Sequence, residues 1–143
     1  MDGARPNLTK KMLDRLTYDV VGAAIEVHKA LGPGLVESVY HQCMKHELSL
    51  RQIGFVSELA VPIQFKDISI ATDLRCDLLI EGCLVVELKA VAGLLPIHQA
   101  QLSTYMKLLH APKGLLLNFT CVNIFKEGQK TLVNELYRDL PES

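Results

Sequence analysis

Apolar positions recur early in the chain at helical spacing. Val20/Val21, Ala24/Ile25, His28 and Leu31 fall on one face, which predicts a helix opening at Thr17 with Asp19 in its first turn. Gly32-Pro33-Gly34 stops it, since glycine suits the left-handed position and proline cannot continue a helix. Val36, Val39/Tyr40, Cys43/Met44 and Leu48 repeat the pattern from Val36 to Arg51, and Gly54 ends that second helix. The period then changes. Phe55 to Phe65 is rich in strand formers, with Pro62 marking an edge or a bulge and Lys66-Asp67 a turn. Arg75 to Ile80 and Leu84 to Leu88 read as two short strands around Gly82. Pro96 can open a third helix running to about Leu109. After Pro112-Lys113-Gly114, the run Gly114 to Phe119 is continuously apolar, as in a strand buried on both faces. Val122 to Phe125 shows no clear period, and Gln129 to Leu136 reads as a strand. The order is helix, helix, three strands, helix, strand, which predicts an α/β sheet covered by helices.

Composition narrows this picture. At 143 residues the chain suits one domain. We expect residues 1–15 as a loose polar arm, 16–138 as the domain and 139–143 as a tail. With 49% hydrophobic and 22% charged residues it is neither a disordered tail nor a coiled coil. Fifteen basic against sixteen acidic residues give a net charge of -1, which excludes a histone-like coat for nucleic acid. No apolar run follows the N-terminal charges, and none approaches a membrane span, so the expectation is a cytoplasmic protein with no membrane partner. Cys43, Cys76, Cys83 and Cys121 lack C-x-x-C spacing, so we expect reduced core thiols, with no zinc and no iron–sulfur cluster.

Three charges interrupt strands that otherwise read as core: Asp77 in Cys76-Asp77-Leu78-Leu79-Ile80, and Glu87 and Lys89 in Val85-Val86-Glu87-Leu88-Lys89. A buried carboxylate needs a partner or a metal. Alternation puts Glu87 and Lys89 on one face. A two-residue loop would pair Asp77 with Val86 and separate the acids. A three-residue loop, or a bulge at Gly82, sets Asp77 opposite Glu87, and this odd-length connection is the prediction. Two such carboxylates repel unless a cation lies between them, and hard oxygen ligands suit Mg²⁺ or Mn²⁺. A structural Lys89–carboxylate pair is the other reading of the same residues.

Two further clusters bear on this choice. Glu37 lies in the first turn of the second helix, where a carboxylate also offsets the helix dipole. His98, Gln101 and Tyr105 share a face of the third helix, as a solvated stripe or as the lining of a phosphate groove.

Gly34-Leu35-Val36-Glu37-Ser38-Val39-Tyr40 resembles the G-x-x-E-x-x-Y motif of the GxxExxY proteins, which belong to the PD-(D/E)XK nuclease superfamily. The resemblance runs from about Leu16 to Val133. It includes Asp77-Leu78-Leu79, Val86-Glu87-Leu88-Lys89-Ala90-Val91, His98-Gln99-Ala100-Gln101-Leu102 and Leu116-Leu117-Asn118-Phe119. It implies a restriction-endonuclease-like α/β core of helix, three antiparallel strands, helix and strand, here with an extra N-terminal helix. It further implies that Asp77, Glu87 and Lys89 are the catalytic set, with Glu37 completing the metal site. Gln101-Leu102-Ser103-Thr104-Tyr105 resembles the Q-h-x-x-Y motif of the RecB-like branch. The proline that usually precedes the motif aspartate is absent, with Arg75-Cys76 in its place.

The expected function is a metal-dependent nuclease acting on phosphodiesters, DNA more than RNA. Asp77, Glu87, the Leu88 carbonyl and Glu37 would hold Mg²⁺, or Mn²⁺ in its place. Lys89 would position water, while Gln101, Tyr105 and His98 would bind substrate. The alternative is a catalytically silent nuclease fold that binds nucleic acid or a protein partner. A homodimer is the default oligomer. Lys10, Lys11, Arg15, Lys107, Lys113, Lys126 and Lys130 are available to build a local positive groove despite the neutral total.

Overall fold

The computed structural model describes residues 7–143. Helix α1 spans Lys10–Leu31 and α2 spans Glu37–Leu50. The start of α1 corrects the expectation. Thr9 is the N-cap, its Oγ1 accepting the Met12 N–H at 3.0 Å. Thr17 lies one turn beyond the fully buried Leu13 and returns its hydroxyl to the Leu13 carbonyl at 2.8 Å. That bond satisfies a buried threonine inside a helix. Residues 10–15 are therefore helical, while 1–6 of the expected arm lie outside the described residues. Gly32 and Gly34 both sit at positive φ (70° and 108°), a region that penalises any Cβ. In α2, Tyr40, Met44 and Leu48 are buried as the pattern predicts, but Val36, at the N-cap, and Val39, one residue off the buried stripe that recurs every four residues, stay exposed.

The β-rich stretch divides. Strand β1 is Phe55–Ala60, and after Val61-Pro62 the short β2 (Ile63–Phe65) pairs with β3 (Ile68–Ile70) as a separate two-stranded ribbon. Then come β4 (Arg75–Ile80), β5 (Leu84–Lys89), α3 (Pro96–Leu108) and β6 (Lys113–Asn118). Asn123 caps the one-turn α4 (Ile124–Glu127), so the ambiguous segment is helical at its end. Strand β7 (Gln129–Val133) is shorter than expected because Asn134 caps α5 (Glu135–Arg138), its Oδ1 accepting the Leu136 N–H.

The five-stranded sheet has the order β1-β4-β5-β6-β7. β1, β4 and β5 are antiparallel, β6 runs parallel to β5, and β7 is an antiparallel edge. The parallel step requires a crossover, which α3 supplies. This is the expected helix, three-stranded meander, helix and strand, with additions. Helices α1 and α2 cover one sheet face, packing Val20, Ala24, Tyr40 and Met44 on Leu78, Val86, Leu88 and Leu115. Helix α3 covers the other, with Leu102, Tyr105 and Met106 against Cys76, Val85 and Leu116. Gly114 permits that approach: a Cβ there would meet Met106 Sδ at 2.6 Å.

The C-terminal tail is docked on α1. The Lys10 and Lys11 N–H groups, which a helix start leaves unpaired, donate to the Pro141 and Glu142 carbonyls at 2.8 and 3.1 Å. Lys10 also pairs with Glu142, and the buried Lys113 pairs with Asp14 at 2.8 Å. Tyr137 donates its hydroxyl to the same Asp14. Lys10 and Lys113 are thus structural and leave the set of cations expected for a substrate groove. Among the described residues no helix is long and apolar enough to cross a membrane.

Candidate active site

The β4–β5 hairpin has the odd-length connection. Ile80 pairs with Leu84, Leu79 with Val85 and Leu78 with Val86, which leaves Glu81, Gly82 and Cys83 as the loop. Glu81 and Gly82 adopt positive φ (52° and 72°) to close it. Continued by one step, this register sets Asp77 opposite Glu87. The Asp77 N–H donates to Glu87 Oε2 at 2.7 Å, and the Leu88 N–H donates to Asp77 Oδ2 at 2.8 Å. Each carboxylate is therefore held by the backbone of the opposite strand. Glu87 lies two residues beyond Val85 and shares its face, the one that α3 covers.

Burial and mutual repulsion dominate the electrostatics. Glu87 is only 4% exposed. Burial, then the Asp77 charge, pushes its carboxyl up to about 8, against the opposing pull of the Asp77 N–H and Lys89. Asp77 is raised by burial and pulled back by the Leu88 N–H, then by His41 and Lys89. Lys89, at the end of β5, is half-buried. Among the described residues no ion pair reaches Asp77, Glu87 or Lys89. The structural Lys89–carboxylate pair is therefore not formed.

Helix α3 brings its polar face to the same place. The Gln101 Nε2 donates to the Tyr105 hydroxyl at 3.2 Å. Tyr105 is buried, and its phenol is raised by burial and by the Glu87 charge, which reaches it across the interface. His98 has a structural task as well: its Nδ1 accepts the Leu95 N–H at 3.0 Å and so caps α3.

Helix α2 supplies the other flank. Tyr40, fully buried, donates its hydroxyl to the Gly32 carbonyl at 2.6 Å, accepts the Leu35 N–H at 3.2 Å and stacks on Phe119 at 4.4 Å. It fixes the loop that opens α2 and so places Glu37 at the first helical position. Glu37 is exposed, yet its carboxyl is raised by the partial burial of its surroundings and then by Asp77, while Lys89, His41 and His98 lower it. Asp77, Glu87, Lys89, Glu37, Tyr105 and Gln101 thus form one neighbourhood, with His98 at its edge.

Two residues of this neighbourhood escaped the sequence reading. His41 follows Glu37 by one turn, and its Nε2 lies 3.1 Å from Ser57 Oγ on β1; the i, i+4 spacing was the available signal. Glu58 lies opposite Asp77, in the middle of β1, at φ 53°. The β1–β4 ladder omits this pair, running from Ser57↔Leu78 to Leu59↔Cys76. Left-handed backbone at such a residue costs about 1–2 kcal/mol, and nothing local in the sequence announces it.

The donor chemistry fits a hard divalent cation. Asp77, half-buried, and Glu87, buried, offer carboxylate oxygens with unused acceptor capacity, and among the described residues no ion pair neutralises either. Among the described residues no group of three His, Cys, Asp or Glu side chains converges as a ready-made cage, so Glu37 does not complete one with the pair. Mg²⁺ is commonly bound by one or two carboxylates and otherwise by water. Cys76 and Cys83 are buried in the core, and burial raises the Cys76 thiol.

Residues 14–132 match the family model of the PD-(D/E)XK nuclease superfamily, and the chain belongs to that superfamily. No curated protein and no solved structure matches the chain. Its superfamily consists of nucleases that generally use divalent metal ions, so the class of substrate is nucleic acid.

Proposed function

We propose that the protein is a metal-dependent nuclease that hydrolyses phosphodiester bonds in DNA, of the GxxExxY group and the RecB-like branch. The observation that carries this reading is the Asp77–Glu87 pair, cross-bonded through the Asp77 and Leu88 N–H groups and set beside Lys89 without an ion pair. Burial and the Asp77 charge leave Glu87 holding its proton up to about pH 8, and a divalent ion that displaced that proton would relieve the repulsion between the two acids. The G-x-x-E-x-x-Y, E-x-K and Q-h-x-x-Y motifs on their three elements support the same conclusion.

Asp77, Glu87 and the Leu88 carbonyl would hold Mg²⁺ or Mn²⁺, with Glu37 acting through water. A bound divalent ion would polarise the scissile phosphate and lower the pKa of water. Lys89 would orient the attacking water and donate to a phosphate oxygen, its charge offsetting the negative charge that grows during attack. Gln101 and Tyr105 act as a unit: the amide orients the phenol, and the phenol donates towards the backbone phosphate. His98 holds the first turn of α3, and through it the placement of Gln101. Phosphate contacts of this type position a strand without reading bases.

The test is cleavage of single- and double-stranded DNA and RNA with Mg²⁺, Mn²⁺ or chelator, by wild type and Lys89→Ala. The expected result is divalent-dependent cleavage of DNA that Lys89→Ala abolishes. Equal cleavage by both proteins rejects the assignment. Binding without cleavage by either would favour the silent nucleic-acid-binding alternative.

A further inference from the structure

His41 lies on the same face of α2 as Glu37, one turn further on. Its ring is half-buried, with Nε2 at 3.1 Å from Ser57 Oγ. Ser57 pairs with Leu78, the neighbour of Asp77 in β4. The ring is therefore fixed where α2, β1 and the carboxylate pair meet. It forms no ion pair with a carboxylate, and its Nδ1 has no hydrogen-bond partner among the described residues. No buried side-chain nitrogen or oxygen lacks a partner among those residues, so Nδ1 is open to solvent.

What one imidazole nitrogen does is set by the bond that the other makes. A tie between helix and strand needs only Nε2. Here the second nitrogen is left free beside the proposed reaction centre. Glu37 and Glu58 both act on this flank, and both would repel a phosphate. Lys89 stands on β5, so an N–H donor on α2 is what this side of the site would otherwise lack.

Resting on the nuclease reading above, we infer that His41 is a substrate-contacting residue. Ser57 donates its hydroxyl proton to Nε2, which holds the imidazole in the Nδ1–H form. Nδ1–H then donates to a non-bridging phosphate oxygen of the bound strand, next to the scissile bond. The contact positions the backbone and carries no base specificity.

Two substitutions separate a substrate contact from a structural tie. The amide nitrogen of asparagine falls near Nδ1, and that of glutamine near Nε2. Cleavage and binding of a short fluorescein-labelled DNA are measured with Mg²⁺, together with the melting temperature. With a phosphate contact, His41→Asn keeps KM within about twofold of wild type, while His41→Gln and His41→Ala raise it about tenfold, the scale of one hydrogen bond to a charged group. Ser57→Ala raises KM by a smaller factor, by freeing the ring, and Ser57→Thr restores it. A structural tie gives the opposite order, glutamine rescuing both melting temperature and KM while asparagine does not, and that order overturns the inference. Cleavage that requires Lys89 but ignores all the His41 and Ser57 variants overturns it alone. A wild type that neither binds nor cleaves overturns it together with the nuclease reading.

Discussion

The Tyr40 hydroxyl donates to the Gly32 carbonyl at 2.6 Å, tying the first turn of the second helix to the end of the first. The same oxygen accepts the Leu35 N–H, so one buried phenol satisfies both sides of the loop that delivers Glu37. The tyrosine of the G-x-x-E-x-x-Y motif is thus a clamp for its glutamate.

Tyr40→Phe keeps the stack on Phe119 but leaves the Gly32 carbonyl and the Leu35 N–H without their partner. The expected cost is about 1–3 kcal/mol, read as a lower urea midpoint with an unchanged m-value. Activity should fall further than Tm alone explains, because Glu37 loses its fixed start. Unaltered kcat/KM in a destabilised Tyr40→Phe would show that the loop holds Glu37 without the clamp.

Glu87 makes metal-free stability depend on pH. Its folded-state pKa is raised from 4.5 to about 8, so the folded protein binds this proton more tightly than the unfolded chain. The resulting stabilisation is fully present below 4.5 and lost as pH rises through about 8. Thermal melts in chelator should fall across that window by at most about 1.4 kcal/mol per pH unit. A divalent ion competes with the proton, so Mg²⁺ should raise Tm more at alkaline than at acid pH. A rise that is independent of pH would place the ion elsewhere.

Glu87→Gln separates charge from shape. In chelator the variant should match wild type below about pH 4.5, exceed its stability increasingly as pH rises to about 8, and keep a constant advantage above that, where wild type buries a second negative charge. The same variant should lose divalent stabilisation and cleavage. Retained Mg²⁺-dependent stabilisation in Glu87→Gln would remove Glu87 from the proposed ligands.

Gly114→Ala tests the packing that brings Tyr105 to the site. The added methyl would lie 2.6 Å from Met106 Sδ and 2.9 Å from Leu102, so these side chains or the helix that carries them must shift. Overpacking of this type costs about 1–3 kcal/mol. Since α3 also carries Gln101 and Tyr105, KM should rise with the loss of stability. Wild-type stability would show that Met106 yields without moving the helix.

Periodicity and loop geometry were enough to read the three long helices, the central strands and the pairing that matters most. Val85, Glu87 and Lys89 alternate with Val86 and Leu88, so one face had to carry both charges. The cost of separating Asp77 from them then selected a three-residue loop, and Ile80 does pair with Leu84. The continuous run into Phe119 likewise identified a strand covered on both sides, because periodicity vanishes when both faces are buried. These are local or nearest-strand constraints, which side-chain alternation and loop geometry express directly.

Features that depend on distant partners could not be read this way. Thr17 reads as a cap, but Leu13 packs into the core and Thr9 starts the helix. Lys10 and Lys113 read as substrate cations, yet Glu142 and Asp14, both more than 90 residues away in the chain, take them. The ring of His41 gains its place from Ser57, and the backbone of Glu58 turns left-handed opposite Asp77. Each outcome is set by which groups long-range packing brings together and leaves to be neutralised or hydrogen-bonded. A linear pattern shows which faces must be buried, but the partner of a charge is chosen where the elements meet.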